Sequence, residues 1–287
     1  MPELPEVHAL VEDLDGRLRG RVVARLDLVS FSALKTFDPP VSALAGETVR
    51  DVTRHGKFLD FTIGDLHLVM HLARAGWIRW NDGSRAPGPA RPGKSPLAAR
   101  LVLDDGTGID ITEAGTKKSL AIYIVGQPTD VPGIASLGPD PLSDGFTLEV
   151  FQNVLAGAGR AQIKGVLRNQ SVIAGIGNAY SDEILHVARM SPFKPASMSA
   201  DDASWLYDAM QSTLRKAISR STGLAASELK KEKKSGMRVH GRTGEPCPVC
   251  GDTVRQVIFS DSTLQYCPTC QTGGKPLADR VLSRLLK

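Results

Sequence analysis

The sequence predicts a multidomain α+β protein, built as an N-terminal antiparallel β-sandwich with an N-terminal helix, a helical domain and a C-terminal zinc ribbon. Three observations predict it. Short β-rich runs separated by Gly, Asp and Pro turns fill residues 22–125. Beyond residue 145 apolar residues recur at helical spacing. All four cysteines fall in one window, as C-x2-C-x16-C-x2-C. A length of 287 residues suits about two domains by size, and the composition changes suggest boundaries at 1–127, 128–144 as a linker, 145–236 and 237–287.

Residues 5–19 read as a helix, with Pro5 preorganised for the first turn and Val7, Leu10, Val11, Leu14 and Leu18 on one face. Strands follow at 22–29, 49–54, 58–63, 66–70, 77–80, 99–103, 109–112 and 120–125. Between Gly83 and Pro96 the Pro/Gly-rich stretch has few side chains to bury and is expected to be mobile. Residues 126–145, rich in Pro, Gly and Asp, read as a linker. Helices are expected at 163–170, 179–188 and 201–219, with Ser199 and Asp202 as a capping box for the last. Ala174-Gly175-Ile176-Gly177-Asn178 is a glycine-bearing turn opening onto a helix, a place where backbone N–H groups bind phosphate or serve only the turn.

In the ribbon, Cys247-Pro-Val-Cys250 and Cys267-Pro-Thr-Cys270 have the spacing of paired zinc knuckles. Four thiolates leave no open position for water, so one Zn2+ would hold the fold and do no chemistry. The segment between the knuckles, 253–265, should form a β-hairpin with its tip free to touch a ligand.

The composition, 41% hydrophobic and 23% charged, is ordinary for a water-soluble chain, and no apolar run approaches a membrane span. Acids stand where a signal peptide would carry Lys or Arg, so a cytoplasmic protein is expected. Charge is uneven: residues 228–287 hold 11 Lys/Arg against 6 Asp/Glu, whereas the first 227 hold 24 against 25. Lys230, Lys231, Lys233, Lys234, Arg238 and Arg242 form a basic stretch that suits a phosphate backbone or a solvated run.

The start of the chain, Pro2-Glu3-Leu4-Pro5-Glu6-Val7, carries the chemistry. With Met1 removed, Pro2 is a secondary amine at the terminus, and an α-amino group has a pKa of about 7.7–8.0. Part of it is unprotonated near neutral pH and can attack an electrophilic carbon to form a Schiff base. Glu3 and Glu6 stand where they could protonate a leaving group and hold a cationic intermediate.

Four separated signatures carry a resemblance that covers nearly the whole chain. They are the N-terminal segment, His55-Gly56-Lys57, Gly175-Ile176-Gly177-Asn178-Ala179-Tyr180, and the ribbon from Val239-His240-Gly241-Arg242 to Cys270-Gln271. The chain resembles the formamidopyrimidine-DNA glycosylase/endonuclease VIII family of oxidised-base repair enzymes, most of all its actinobacterial endonuclease VIII branch. The resemblance implies a bifunctional DNA glycosylase and abasic-site lyase acting on damaged DNA held in a cleft, a monomer associated with the nucleoid and needing no small-molecule cofactor. Pro2 would be the nucleophile, Glu3 the proton donor and Glu6 an electrostatic support. Lys57 would contact the lesion phosphate and assist proton transfer during elimination. The helical half would be a helix-two-turn-helix domain in which Lys164 and Asn178 grip phosphates. His71 would contact a phosphate from the sandwich side, and Arg74 would fill the gap left by the extruded base.

Three departures bear on specificity. Where the family's ribbon presents an arginine five residues before the third cysteine, this chain has Ser262, so Arg255 or the lysine cluster would compensate, or binding would be weaker. Glu113-Ala114-Gly115-Thr116-Lys117-Lys118 replaces the Arg-Phe-Gly wedge loop of the purine branch. The segment 223–236 looks shorter than the loop that caps 8-oxoguanine there. The last two favour oxidised pyrimidines. A purine-directed glycosylase, a non-catalytic damage-binding protein on the same scaffold, and a zinc-ribbon transcription factor are the alternatives.

Overall fold

The computed structural model describes residues 1–84, 96–259 and 262–278. Its contacts separate two units, Met1–Leu137 with Ser221–Lys230, and Gly138–Arg220 with Lys231–Lys287. The Pro/Gly-rich stretch expected to be mobile lies almost wholly outside the described residues.

In the first unit α1 (Leu4–Leu18) buries Val7, Leu10, Leu14 and Leu18, the face its spacing predicts. The strands are β1 (Val23–Leu28), β2 (Val49–His55), β3 (Phe58–Ile63), β4 (Leu66–His71), β5 (Gly76–Asn81), β6 (Leu97–Leu103), β7 (Gly108–Glu113) and β8 (Ala121–Val125). They form two four-stranded sheets, ordered β1-β6-β7-β5 and β2-β3-β4-β8, with antiparallel pairing throughout. Alternation decides which side chains fill the core: Leu59, Phe61 and Ile63 of β3 are fully buried in it.

Residues 128–144 are more than a linker. They carry α2 (Pro132–Ala135), and Val131 and Ile134 bury themselves against Val69 and Val125 of the second sheet. Gly133 makes this approach possible, because a Cβ there would lie 2.6 Å from Phe58 Cζ. The segment Ser221–Lys230 also belongs to this unit: Ala226 and Leu229 join the sandwich core, Trp77 Nε1–H donates to Ala226 O at 3.0 Å, and Lys230 Nζ lies 4.5 Å from the Trp77 ring centroid.

The second unit contains α3 (Leu148–Ala158), α4 (Ile163–Arg168), α5 (Asn178–Val187) and α6 (Ala200–Ser221), packed on a core that includes Phe151, Leu167, Ile184, Leu206, Met210 and Leu214. The sequence reading missed α3. It is capped by Thr147, whose Oγ1 accepts the Val150 N–H at 3.3 Å. Ser199 Oγ accepts the Asp202 N–H at 3.2 Å, half of the expected box before α6. The lysine cluster, for which the sequence offers a phosphate-binding stretch or a solvated run, lies on a helix, α7 (Leu229–Gly236). The expected hairpin is β9 (Arg255–Ile258) with β10 (Thr263–Tyr266), followed by α8 (Pro268–Thr272). Among the described residues no helix is long and apolar enough to cross a membrane.

Candidate functional site

The N-terminal segment is held by its own carboxylates. Glu3 caps α1, and its N–H donates to Glu6 Oε2 at 2.9 Å, so the residue after Pro2 is fixed to the first helical turn. Glu3 and Glu6 are 2% and 1% exposed, Pro2 is buried, and Met1 is half exposed.

The direction of α1 brings this segment to the end of the sandwich that bears Lys57. Gly20 N–H donates to Val49 O and Val52 N–H to Asp15 Oδ1, both at 2.8 Å, so α1 runs antiparallel to β2. Going back from Asp15 to Leu4 the helix rises about 16 Å, in the same direction as β2 advances about 10 Å from Val52 to its end at His55, beside the Gly56-Lys57 turn. Gly56 and Lys57 form the turn between β2 and β3, with Gly56 at φ +55°, a conformation glycine adopts without strain. The Lys57 side chain is buried rather than displayed as an ordinary hairpin lysine would be.

His71 lies at the same end of the sheet, opposite Phe58 in register, with ring centroids 4.7 Å apart. Burial lowers its pKa to about 4, and the neighbouring Lys57 charge pushes the same way, so the imidazole is neutral near pH 7. Arg74 sits exposed in the turn that joins β4 to β5, next to Ala73 at φ +50°. That turn closes through Gly76 N–H to Leu72 O at 2.8 Å. Nearby, buried Glu113 accepts the Ser119 and Leu120 N–H groups at 2.7 and 2.9 Å, folding the 114–120 segment back on β7. Sequence reading gave Glu113 no such role.

In the second unit Lys164 and Asn178 are brought together, with Lys164 buried. Its Nζ donates to Asp182 Oδ1 at 2.6 Å, Ser181 Oγ at 2.8 Å and Asn178 O at 3.2 Å. Asn178 Nδ2 donates to Thr263 O at 2.7 Å, tying the start of α5 to the hairpin. Gln170 clamps the glycine turn, accepting the Gly175 N–H at 3.0 Å and donating to Ile176 O at 2.7 Å. Asp182 Oδ2 pairs with His240 Nδ1 at 2.7 Å, and the Glu183 carboxylate accepts the N–H groups of Arg238, Val239 and His240 at 2.8–2.9 Å. Burial pushes the Glu183 pKa up while these three bonds hold it down. Gln170, Asp182 and Glu183 are the residues that sequence reasoning missed, since their partners lie several to dozens of residues away.

The cysteines converge. Their four Sγ atoms lie within 4.8 Å of one another, with 3.9 Å between those of Cys247 and Cys270 and 3.4 Å between those of Cys250 and Cys267. Tetrahedral zinc at about 2.3 Å from each sulfur sets S···S near 3.8 Å, so the set fits one ion. Asp252 links the knuckles by accepting Thr269 N–H and Oγ1–H at 3.2 and 2.8 Å, and His186 Nε2 lies 3.3 Å from Cys247 Sγ. At the far end of the hairpin Ser262 O accepts the Phe259 N–H at 2.8 Å, which puts Ser262 at the tip. Arg255 opposes Tyr266 at the cysteine end, about 10 Å of strand away, so it does not occupy the place of a tip arginine.

Residues 1–115 match the family described as the formamidopyrimidine-DNA glycosylase N-terminal domain, residues 137–228 its H2TH domain, and residues 244–273 the zinc finger found in FPG and IleRS. The last match makes the cysteine cluster a structural zinc site. An uncharacterized formamidopyrimidine-DNA glycosylase-like protein of Mycobacterium tuberculosis is 57% identical over 157 residues, covering 54% of this chain and 98% of that protein. The formamidopyrimidine-DNA glycosylase of Symbiobacterium thermophilum is 34% identical over 281 residues, 94% of this chain and 89% of the relative. The Lactococcus lactis Fpg, solved in complex with DNA containing an abasic site, superposes with a TM-score of 0.81 at 26% identity over 94% of this chain and 99% of that one.

Proposed function

This chain belongs to the formamidopyrimidine-DNA glycosylase family, and on that premise we propose that it is a bifunctional DNA glycosylase and abasic-site lyase of base excision repair that favours oxidised pyrimidines. The observation that carries the reading is the N-terminus, where Pro2 is tied through the Glu3–Glu6 hydrogen bond to a helix whose start lies at the Lys57 end of the sandwich. A pure binding protein has no need of a nucleophilic terminus.

Removal of the half-exposed Met1 frees the Pro2 nitrogen. Its lone pair bonds to the anomeric carbon of the damaged nucleotide, the glycosidic electron pair leaves with the base, and Glu3 supplies the proton. Glu3 takes up the proton that the Pro2 nitrogen sheds and passes it to the ring oxygen. The C1′–O4′ pair leaves with that oxygen, and the nitrogen lone pair closes the C=N bond. The resulting iminium acidifies the adjacent sugar carbon. A base takes that proton, the C–H pair becomes the new carbon–carbon π bond, and the 3′ C–O pair departs with the phosphate. Lys57 places its ammonium against that phosphate and neutralises the charge gathering on the leaving oxygen. Neutral His71 offers an N–H to a phosphate without adding charge. Lys164, with all three donors engaged inside the second unit, reaches a phosphate only by exchanging one of those partners.

Pyrimidine preference rests on the 113–118 segment and on the short stretch 223–236, and the endonuclease VIII leaning rests on the same departures. Ser262 at the hairpin tip favours a second reading, a non-catalytic damage-binding protein. Borohydride separates the two. With DNA carrying an abasic site or an oxidised pyrimidine, the glycosylase is trapped as a covalent adduct, and blocking Met1 removal with an N-terminal tag abolishes the adduct while DNA retention persists. Retention without any adduct in the untagged protein assigns the binding role.

A further inference from the structure

Asp60 sits in the middle of β3, the strand that leads away from the Gly56-Lys57 turn. Its neighbours Leu59 and Phe61 point into the sandwich core, so alternation turns Asp60 to the opposite face together with Phe58 and Thr62. It is nevertheless only 2% exposed. A carboxylate without water must find donors, and two imidazoles supply them: Oδ2 lies 2.9 Å from His55 Nε2, and Oδ1 lies 2.9 Å from His67 Nδ1. A carboxylate only accepts, so each facing ring nitrogen carries a hydrogen, and Asp60 thereby fixes the orientation of both rings.

The two histidines differ in what they are attached to. His67 belongs to β4, opposite Thr62, away from the turn. His55 is the last residue of β2, paired with Phe58, and the two residues between them are Gly56 and Lys57. The Asp60–His55 bond is therefore a diagonal brace across the hairpin, anchored at one end on a buried strand and at the other on the residue that launches the turn. Gly56 at φ +55° gives the turn little stiffness of its own, and Lys57 has four side-chain torsions to fix.

We propose that Asp60, acting through His55, is a positioning residue for Lys57, and that loss of this brace slows strand scission without affecting formation of the Pro2 Schiff base. The inference rests on the glycosylase/lyase reading above and adds to it two residues that touch neither the base nor the nucleophile.

The test uses the full-length zinc-loaded protein and DNA with one abasic site, in variants Asp60→Asn, His55→Ala, His55→Gln and His67→Ala. Borohydride trapping reads Schiff-base formation, single-turnover cleavage reads scission, and the 13C-dimethyl-lysine resonance of Lys57 reads its surroundings without reference to activity. Asp60→Asn and His55→Ala are expected to slow scission at least tenfold, hold trapping within twofold and shift the Lys57 resonance. The Asp60→Asn/His55→Ala double variant should be no slower than either single one. His55→Gln, which keeps an N–H donor of similar reach, should recover most of the rate, and His67→Ala should leave both rate and resonance in place. Equal slowing by His67→Ala, or an unmoved Lys57 resonance in His55→Ala, overturns the brace and leaves the cluster as sheet packing. Absence of trapping in the unmodified protein overturns the Pro2 reading instead, and the Lys57 resonance still decides the positioning claim.

Discussion

Lys164 Nζ lies 2.6 Å from Asp182 Oδ1, and the two side chains are 7% and 0% exposed. Removing one partner of such a pair leaves a charge uncompensated, at a cost of about 3–5 kcal/mol. His240 remains on the other oxygen of Asp182, so Lys164→Ala should fall near the lower end, about 3 kcal/mol. Urea unfolding followed by helical circular dichroism measures it. A change below about 1 kcal/mol would mean that the pair is worth no more than one at the surface.

The zinc site makes a separate prediction about the second unit. Cys267 is fully buried, its N–H donates to Gln271 Oε1 at 2.9 Å, and Gln271 Nε2 donates to Met190 O at 2.9 Å. Cys267→Ser or chelation should therefore release the hairpin and slacken its attachment beyond α5. One zinc per chain by elemental analysis, lost in Cys267→Ser together with most DNA affinity, is the expected result. Unchanged affinity in metal-free protein would remove the structural role.

His71 should make stability pH-dependent in a set direction. Its folded pKa is about 4 against an ordinary 6.5, so the unfolded chain takes up the proton first as pH falls. Stability is complete above pH 6.5, declines as pH drops towards 4, and levels off below that. At pH 5 the loss should be about 1–2 kcal/mol after allowance for partial exposure. The difference between wild type and His71→Gln, followed by denaturant midpoints from pH 7 to 4.5, isolates this share. A pH-independent difference would place the ring in water.

Gly76 tests the turn that presents Arg74. A Cβ at Gly76 would lie 2.2 Å from the backbone oxygen of Leu72, which already accepts the Gly76 N–H. Gly76→Ala must move backbone, so a loss of about 1–3 kcal/mol is expected. Because the shift falls on the Arg74 turn, excision of a paired lesion should drop more than cleavage of a preformed abasic site. Equal effects on both substrates would detach Arg74 from base extrusion.

Legibility in the sequence followed the range of the interactions. The strands were readable because each is a short β-rich run closed off by Gly, Asp or Pro turns, and the zinc ligands because two-residue gaps fix the knuckles locally. The helix α3 was not: Val150, Phe151 and Val154 suit a strand as well as a helix, and their place in the core of the second unit settles it. Nor was the true setting of Lys164, whose partner Asp182 is local only once α4 and α5 are folded. Asp60 reads as a surface acid in a strand, and its burial depends on two histidines five and seven residues away. The docking of Ala226 under Trp77 spans 149 positions, beyond any pattern in one sequence.

Ser262 offers a gain rather than a loss. It stands at the hairpin tip, five residues before Cys267, where the family's ribbons carry an arginine. If the tip reaches a DNA phosphate, Ser262→Arg adds one counterion-releasing contact, and the plot of log affinity against log salt should steepen by about 0.9. Affinity for abasic-site duplex should rise several-fold in low salt and converge with wild type as salt increases. Arg255, at the opposite end of β9, serves as the control, because Arg255→Ala should leave the slope within error if it makes no such contact. Should Ser262→Arg leave the slope untouched while Lys231→Ala or Lys234→Ala flattens it, the phosphate grip has passed from the hairpin tip to α7.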